Sequence, residues 1–160
     1  MSQTEKHMTW CLKDPNRLKI INPDLDLAKK HLAKSLYNFK VSKELETLEY
    51  YDWALNVGFY AIYHCFLALL AKYGYESRNQ SCTITALLTL IDNNKLAFEK
   101  DLILQFYSLD TESQIISSTV RAKREMSTYG VETSIDLDQV KKIKDLVLQV
   151  QRETIKEIGE

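Results

Sequence analysis

The stretch Arg121-Ala122-Lys123-Arg124-Glu125-Met126-Ser127-Thr128-Tyr129-Gly130 gathers the side chains best suited to meet an anion. Set on a helix, Ser117, Arg121, Arg124 and Thr128 recur at three- and four-residue steps and share one face. Ile115, Thr119, Ala122 and Met126 share another, which would pack inward. Arg121, Lys123 and Arg124 therefore form a small basic patch near a helix C-terminus. Guanidinium forks match phosphate oxygens two at a time, so a phosphate or RNA-backbone contact is the chemistry such a patch offers. The plainer reading is a solvated helix end, its cations answering the dipole and Arg121 pairing with Glu125.

A second set lies on the apolar stretch from Tyr50 to Gly74. Asp52, Asn56, Tyr60 and His64 follow at four-residue steps and could form a polar seam on one helix. A catalytic histidine needs an acid or nucleophile within hydrogen-bond reach, and nothing near His64 in the sequence offers one. A packed, satisfied imidazole is the plainer expectation, and the seam would more readily fix helix register or a dimer contact than do chemistry. Tyr60, Tyr63 and Tyr73 are read as core aromatics before a base-stacking platform. No Gly-rich phosphate loop, nucleophile elbow or HExxH occurs. His7, His31 and His64 are scattered, and Cys11, Cys65 and Cys82 form no CxxC, so no metal site is expected. No catalytic residue and no cofactor is assigned from these motifs.

These groups need a scaffold. From Trp53 to Tyr73 only Asn56, Gly58, His64 and Lys72 interrupt the apolar run. A helix without a polar face must sit at the centre of a bundle or cross a membrane. Its length is near the roughly 20 residues of a span, but Asn56 and His64 would be costly in lipid, and its tyrosines are spread along it rather than gathered at its ends. The core reading is preferred, with no membrane partner. Before it, Asn22-Pro23-Asp24 starts a helix, with Asn22 as cap and Pro23 in the first turn. Leu25, Ala28, Leu32, Leu36 and Phe39 carry that helix to about residue 48. The near-absent linker makes these two helices antiparallel neighbours. Gly74 stops the core helix, residues 76–81 form a polar loop, and Thr83–Ile91 make a short helix halted by Asp92-Asn93-Asn94. Residues 95–109 are a fourth apolar-periodic segment. A helix capped by Asp110 or Thr111 runs to about Thr128. The last helix, capped by Ser134 or Asp136, bears Val140, Ile143, Val147, Val150 and Ile155 on one stripe. Residues 1–21 show no clean period and read as an extended arm laid over a single domain at 22–160. No segment reads as a strand. The fold class is all-α, an up-and-down antiparallel bundle of five to six helices.

Composition narrows the function. A chain of 160 residues with net charge −1 has no global field to draw nucleic acid or an anionic membrane, so any anion site must be local. Three cysteines, an odd count, fit reduced thiols in a cytoplasm better than a disulfide framework. The N-terminus carries no basic-then-apolar leader pattern.

Phe59-Tyr60-Ala61-Ile62-Tyr63-His64, then Ala68-Leu69-Leu70, then Gly74, resembles the YYAxFH…ALL…G run of HEPN-domain proteins. It is most similar to the small prokaryotic group found beside minimal nucleotidyltransferases. Ser77-Arg78-Asn79-Gln80-Ser81 resembles that group's S-K-x-H-S, and Arg124-Glu125-Met126-Ser127-Thr128-Tyr129 its R-x-x-A-D-Y. Trp10-Cys11-Leu12 and the Asn22-Pro23 helix start look like archaeal members. The resemblance covers about residues 10–155.

It implies an antiparallel helical bundle, a homodimer, and in many members an RNase within a toxin–antitoxin or defence system. The family's RNase motif pairs an Arg with a His, followed by Tyr. That motif falls here on Arg121 and Tyr129, with Ser127 where the His would stand. A serine cannot serve as general base near neutral pH, and the loop His is replaced by Gln80. The expectation is thus a non-catalytic or weakly active binding module that meets RNA or a nucleotide through Arg121, Lys123, Arg124, Ser127, Tyr129 and Arg78, with a nucleotidyltransferase-type partner. A metal-independent RNase using Arg121, Tyr129 and perhaps His64, or a purely structural interaction module, are the alternatives.

Overall fold

The computed structural model describes residues 1–106 and 135–159. Six helices and one two-stranded sheet occur among them: α1 (Gln3–Leu12), β1 (Leu18–Ile20), α2 (Leu25–Thr47), α3 (Tyr51–Lys72), β2 (Tyr75–Ser77), α4 (Gln80–Asp92), α5 (Lys100–Phe106) and α6 (Leu137–Ile158). The all-α expectation is met, with a small sheet added.

The N-terminal residues are not an extended arm. Ser2 caps α1 by accepting the Glu5 N–H at 3.1 Å, and Met8 and Cys11 turn inward one helical step apart. The period is hidden in the sequence because Trp10 and Leu12, which dominate the apolar pattern, are exposed. After α1 the chain adds β1 antiparallel to β2, Leu18 opposite Ser77 and Ile20 opposite Tyr75. Three-residue strands carry too little alternation to be read from sequence.

The cap of α2 is Asp24, whose carboxylate accepts from Leu27 N at 2.9 Å, rather than Asn22. Residues 21–24 are tied to the end of α3, Ile21 N donating to Gly74 O and Asp24 N to Ala71 O, so the helix begins at Leu25, two residues later than Pro23 would allow. Gly74 stands at φ +90°, where a Cβ would lie 2.8 Å from Ile21 O. Only glycine fits there, and the core helix ends at this point as expected.

Helices α2 and α3 run antiparallel in a steady register. Ser42 Oγ donates to Ala54 O at 2.7 Å, Ser35 Oγ to Ala61 O at 2.6 Å, and His31 lies beside His64. The C-terminal α6 closes the pair. It opens with a reciprocal cap between Asp136 and Gln139. Gln151 Nε2 donates to Ser35 Oγ at 3.0 Å and Lys144 meets Glu46 at 2.9 Å, which sets α6 antiparallel to α2 and parallel to α3. Its Val140, Ile143, Val147 and Val150 are buried. Gly58 gives α6 close approach to α3, its Cβ position only 3.3 Å from Ile143.

Helix α4 starts earlier than expected, at Gln80, because Asn79 caps it by accepting Cys82 N at 3.0 Å. Asn94, at φ +59°, helps end it. Among the described residues of the fourth segment, Lys100–Phe106 are helical and 95–99 are not. The expected helix from Asp110 or Thr111 to Thr128, and the break at Tyr129-Gly130, lie outside the described residues.

The core centres on α3, where Phe59, Ile62, Phe66, Leu69 and Leu70 are fully buried. Phe106 of α5 stacks on Phe59 at 4.5 Å and meets Phe66 edge-on at 4.9 Å. Among the described residues α3 is long and apolar enough to cross a membrane, but 67% of that window is buried inside the fold. That is the signature of a core helix.

Candidate functional site

The polar seam of α3 divides once it is packed. Asn56 is buried, Asp52 and His64 are half-buried, and Tyr60 is exposed. Tyr60 is thus not a core aromatic as read from the sequence. Tyr63 keeps that role, stacked near Phe59 and Phe106 with its hydroxyl 2.9 Å from Thr83 Oγ1. Tyr73 packs at the end of α3 and donates to Glu157, which Lys72 also meets at 3.6 Å. Burial, then that carboxylate, pushes the Tyr73 phenol up to about 12.

The partner that sequence reasoning did not find for His64 is His31. Their Nδ1 atoms are 3.1 Å apart. Two imidazoles at that distance need one N–H and one lone pair, so at most one ring of the pair can be cationic while the bond holds. Burial, then His31, then the Lys34 charge hold His64 down to about 4. Burial also lowers His31, with Glu76 pulling the other way. At neutral pH the pair is uncharged. A count outward from the short α2–α3 linker would have found it, since an antiparallel register there places residue 31 opposite 64.

His31 also borders a cleft of about 290 Å³ between α2, the end of α3 and β2, with Leu67, Tyr75, Glu76, Ser77 and Arg78 around it. Arg78 is the described member of the expected cation set. Its backbone N–H donates to Arg17 O at 3.0 Å. Its guanidinium reaches Glu76 only at 3.5 Å and is 67% exposed, so it offers donors to solvent at the rim. The cleft thus pairs a largely apolar wall and the neutral His31 with two opposite charges, Glu76 and Arg78, at its edge. Arg121, Lys123, Arg124, Ser127 and Tyr129 lie outside the described residues.

The histidines are not all scattered in space either. His7 Nδ1 is 2.7 Å from Thr85 Oγ1, and Cys11 and Cys82 lie beside it. Those two cysteines are joined as a disulfide, against the expectation of three reduced thiols; only Cys65 is free. No CxxC spacing announces the pair because the fold brings α1 and α4 together from 71 residues apart.

A buried antiparallel helix pair closed by a third long helix makes up the body of this all-α bundle. The HEPN domain model matches residues 28–158, and the chain belongs to that family. Among curated proteins none matches it.

Proposed function

We propose that this chain is a HEPN binding or regulatory module rather than a competent nuclease, acting in a toxin–antitoxin-like pair with a nucleotidyltransferase-type protein. HEPN domains have RNase or nucleotide-binding roles. What turns the reading toward binding is one position: on the resemblance, Ser127 falls where the family's RNase motif would have its His. Arg121, Lys123 and Arg124 then retain phosphate recognition without a general base beside them. Arg78, exposed at the rim of the His31 cleft, supplies a further cation.

The working form is a homodimer. Trp53 and Tyr60, seven residues apart on one side of α3, are 50% and 39% exposed, an apolar pair that a second copy would cover. Sedimentation should give a dimer at micromolar concentration, and a monomer would sink this part of the proposal.

The deciding experiment is equilibrium binding of short single-stranded and structured RNA at low and moderate salt. Wild-type binding should weaken as salt rises, with Arg121→Ala/Arg124→Ala cutting affinity about tenfold or more and flattening the salt slope by roughly two ions. Cleavage of the RNA that is abolished by Arg121→Ala would replace the binding module with a nuclease. Binding untouched by the double variant would leave a purely structural module.

A further inference from the structure

Three donor atoms from two helices, His7 and Cys11 on α1 and Cys82 on α4, lie within 4.8 Å of one another. We propose that, once the Cys11–Cys82 disulfide is reduced, His7 Nε2 and the two thiolates bind one Zn²⁺ ion with water at the fourth corner, so that a metal clamp replaces the covalent one between α1 and α4.

The donor set and spacing fit. Zinc takes Cys sulfur at about 2.3 Å and His nitrogen at about 2.0–2.1 Å in a tetrahedron, which places sulfur and nitrogen ligands roughly 3.5 Å apart. Cys11 Sγ is 3.9 Å from His7 Nε2 and 4.0 Å from Nδ1, so the imidazole must turn to aim Nε2 at a shared ion. Opening the disulfide needs the sulfurs to part to roughly 3.8 Å, a change in side-chain torsions of residues whose Cα atoms are 5.7 Å apart.

The surroundings orient the imidazole as a ligand. In the tautomer whose Nδ1–H donates to Thr85 Oγ1 at 2.7 Å, the Nε2 lone pair is left for a metal. Trp10 stacks on the ring at 5.4 Å and Arg17 covers Trp10 at 3.8 Å. Cys82 sits three residues after the cap Asn79, at the positive end of α4, where a thiolate is favoured. Ser81 gives its proton to Asn79 Oδ1 at 2.7 Å, and its oxygen stands 3.5 Å from Nε2. Both cysteines are fully buried and His7 is half-buried. The set is thus shielded but reachable from the histidine side.

The chemistry balances in two steps. A dithiol reductant passes two electrons and two protons to the disulfide, giving two thiols and the oxidised reductant. Zinc then displaces the two thiol protons, and its charge is cancelled by two thiolates beside a neutral imidazole.

The test uses the full chain reduced with a phosphine, then freed of reductant under argon. Zinc is titrated against a chromophoric chelator, and Co²⁺ reports the ligands by its spectrum. The reduced protein should hold one zinc per chain, and the disulfide form none. Co²⁺ should show intense tetrahedral ligand-field bands with sulfur charge transfer, reduced in Cys82→Ser. His7→Gln should weaken zinc tenfold or more. Because a ligand variant can also loosen the fold, melting of the reduced wild type is followed with and without zinc. The folded site predicts a rise in Tm with metal. Zinc left on the chelator, unchanged affinity in His7→Gln, or an unmoved Tm would each overturn the assignment.

Discussion

His31 and His64 show how a neutral pair becomes a pH-dependent element. His64 is held down to about 4, first by burial, against an ordinary value near 6.5. Between those values the unfolded chain binds a proton that the folded chain refuses, so stability rises with pH across that window. The contribution is complete above about pH 6.5 and is lost as pH falls toward 4. The depressed His31 acts in the same direction. Melting temperatures measured from pH 4 to 7 should fall toward acid more steeply in wild type than in His64→Gln, which cannot take a proton. Equal slopes would mean that the imidazoles are solvated at little cost. Deeper in the same helix pair, burial pushes the Cys65 thiol up to about 11, with hydrogen bonds from Ser35 and Thr154 opposing it. This cysteine stays protonated, and unlike Cys11 and Cys82 it acts as a small core side chain that completes the Ser35–Gln151 bridge.

Among the elements, α3 is the member the others are fitted to, and Gly58 is where the fit is closest. A side chain larger than methyl at 58 must displace Ile143, a fully buried part of the α6 stripe. Gly58→Val is expected to cost about 1–3 kcal/mol by overpacking, of which valine's better helix propensity offsets only a few tenths. Urea unfolding monitored by circular dichroism would measure this. A variant as stable as wild type would show that α6 can slide away from α3 without loss. A helix that approaches through a glycine buries its valine and isoleucine stripe fully, whereas the α2 side is bridged instead by polar contacts from Gln151 and Lys144.

For the whole molecule, the Cys11–Cys82 bond ties the N-terminal helix to a bundle whose family match begins only at residue 28. Closing a 71-residue separation removes unfolded-state entropy worth about 4 kcal/mol on the chain-entropy account. In buffer with a metal chelator, reduction should therefore lower the urea midpoint by an amount corresponding to about 2–4 kcal/mol. A midpoint indifferent to reduction would mean that packing of Met8 and the β1–β2 pairing already hold the N-terminal segment in place.

The sequence by itself determined the central helix, its antiparallel partner, the glycine stop at residue 74 and the C-terminal stripe. Each rests on a period or a local conformational demand that neighbouring residues write into the chain. The family pattern was legible for the same reason, being built on that helix. Tertiary structure alone decided that His7 and Cys11 of α1 meet Thr85 and Cys82 of α4, and that the N-terminal residues are a docked helix and strand. Those α1–α4 contacts join positions 71 to 78 residues apart. Their register depends on how helices pack rather than on any spacing along the chain.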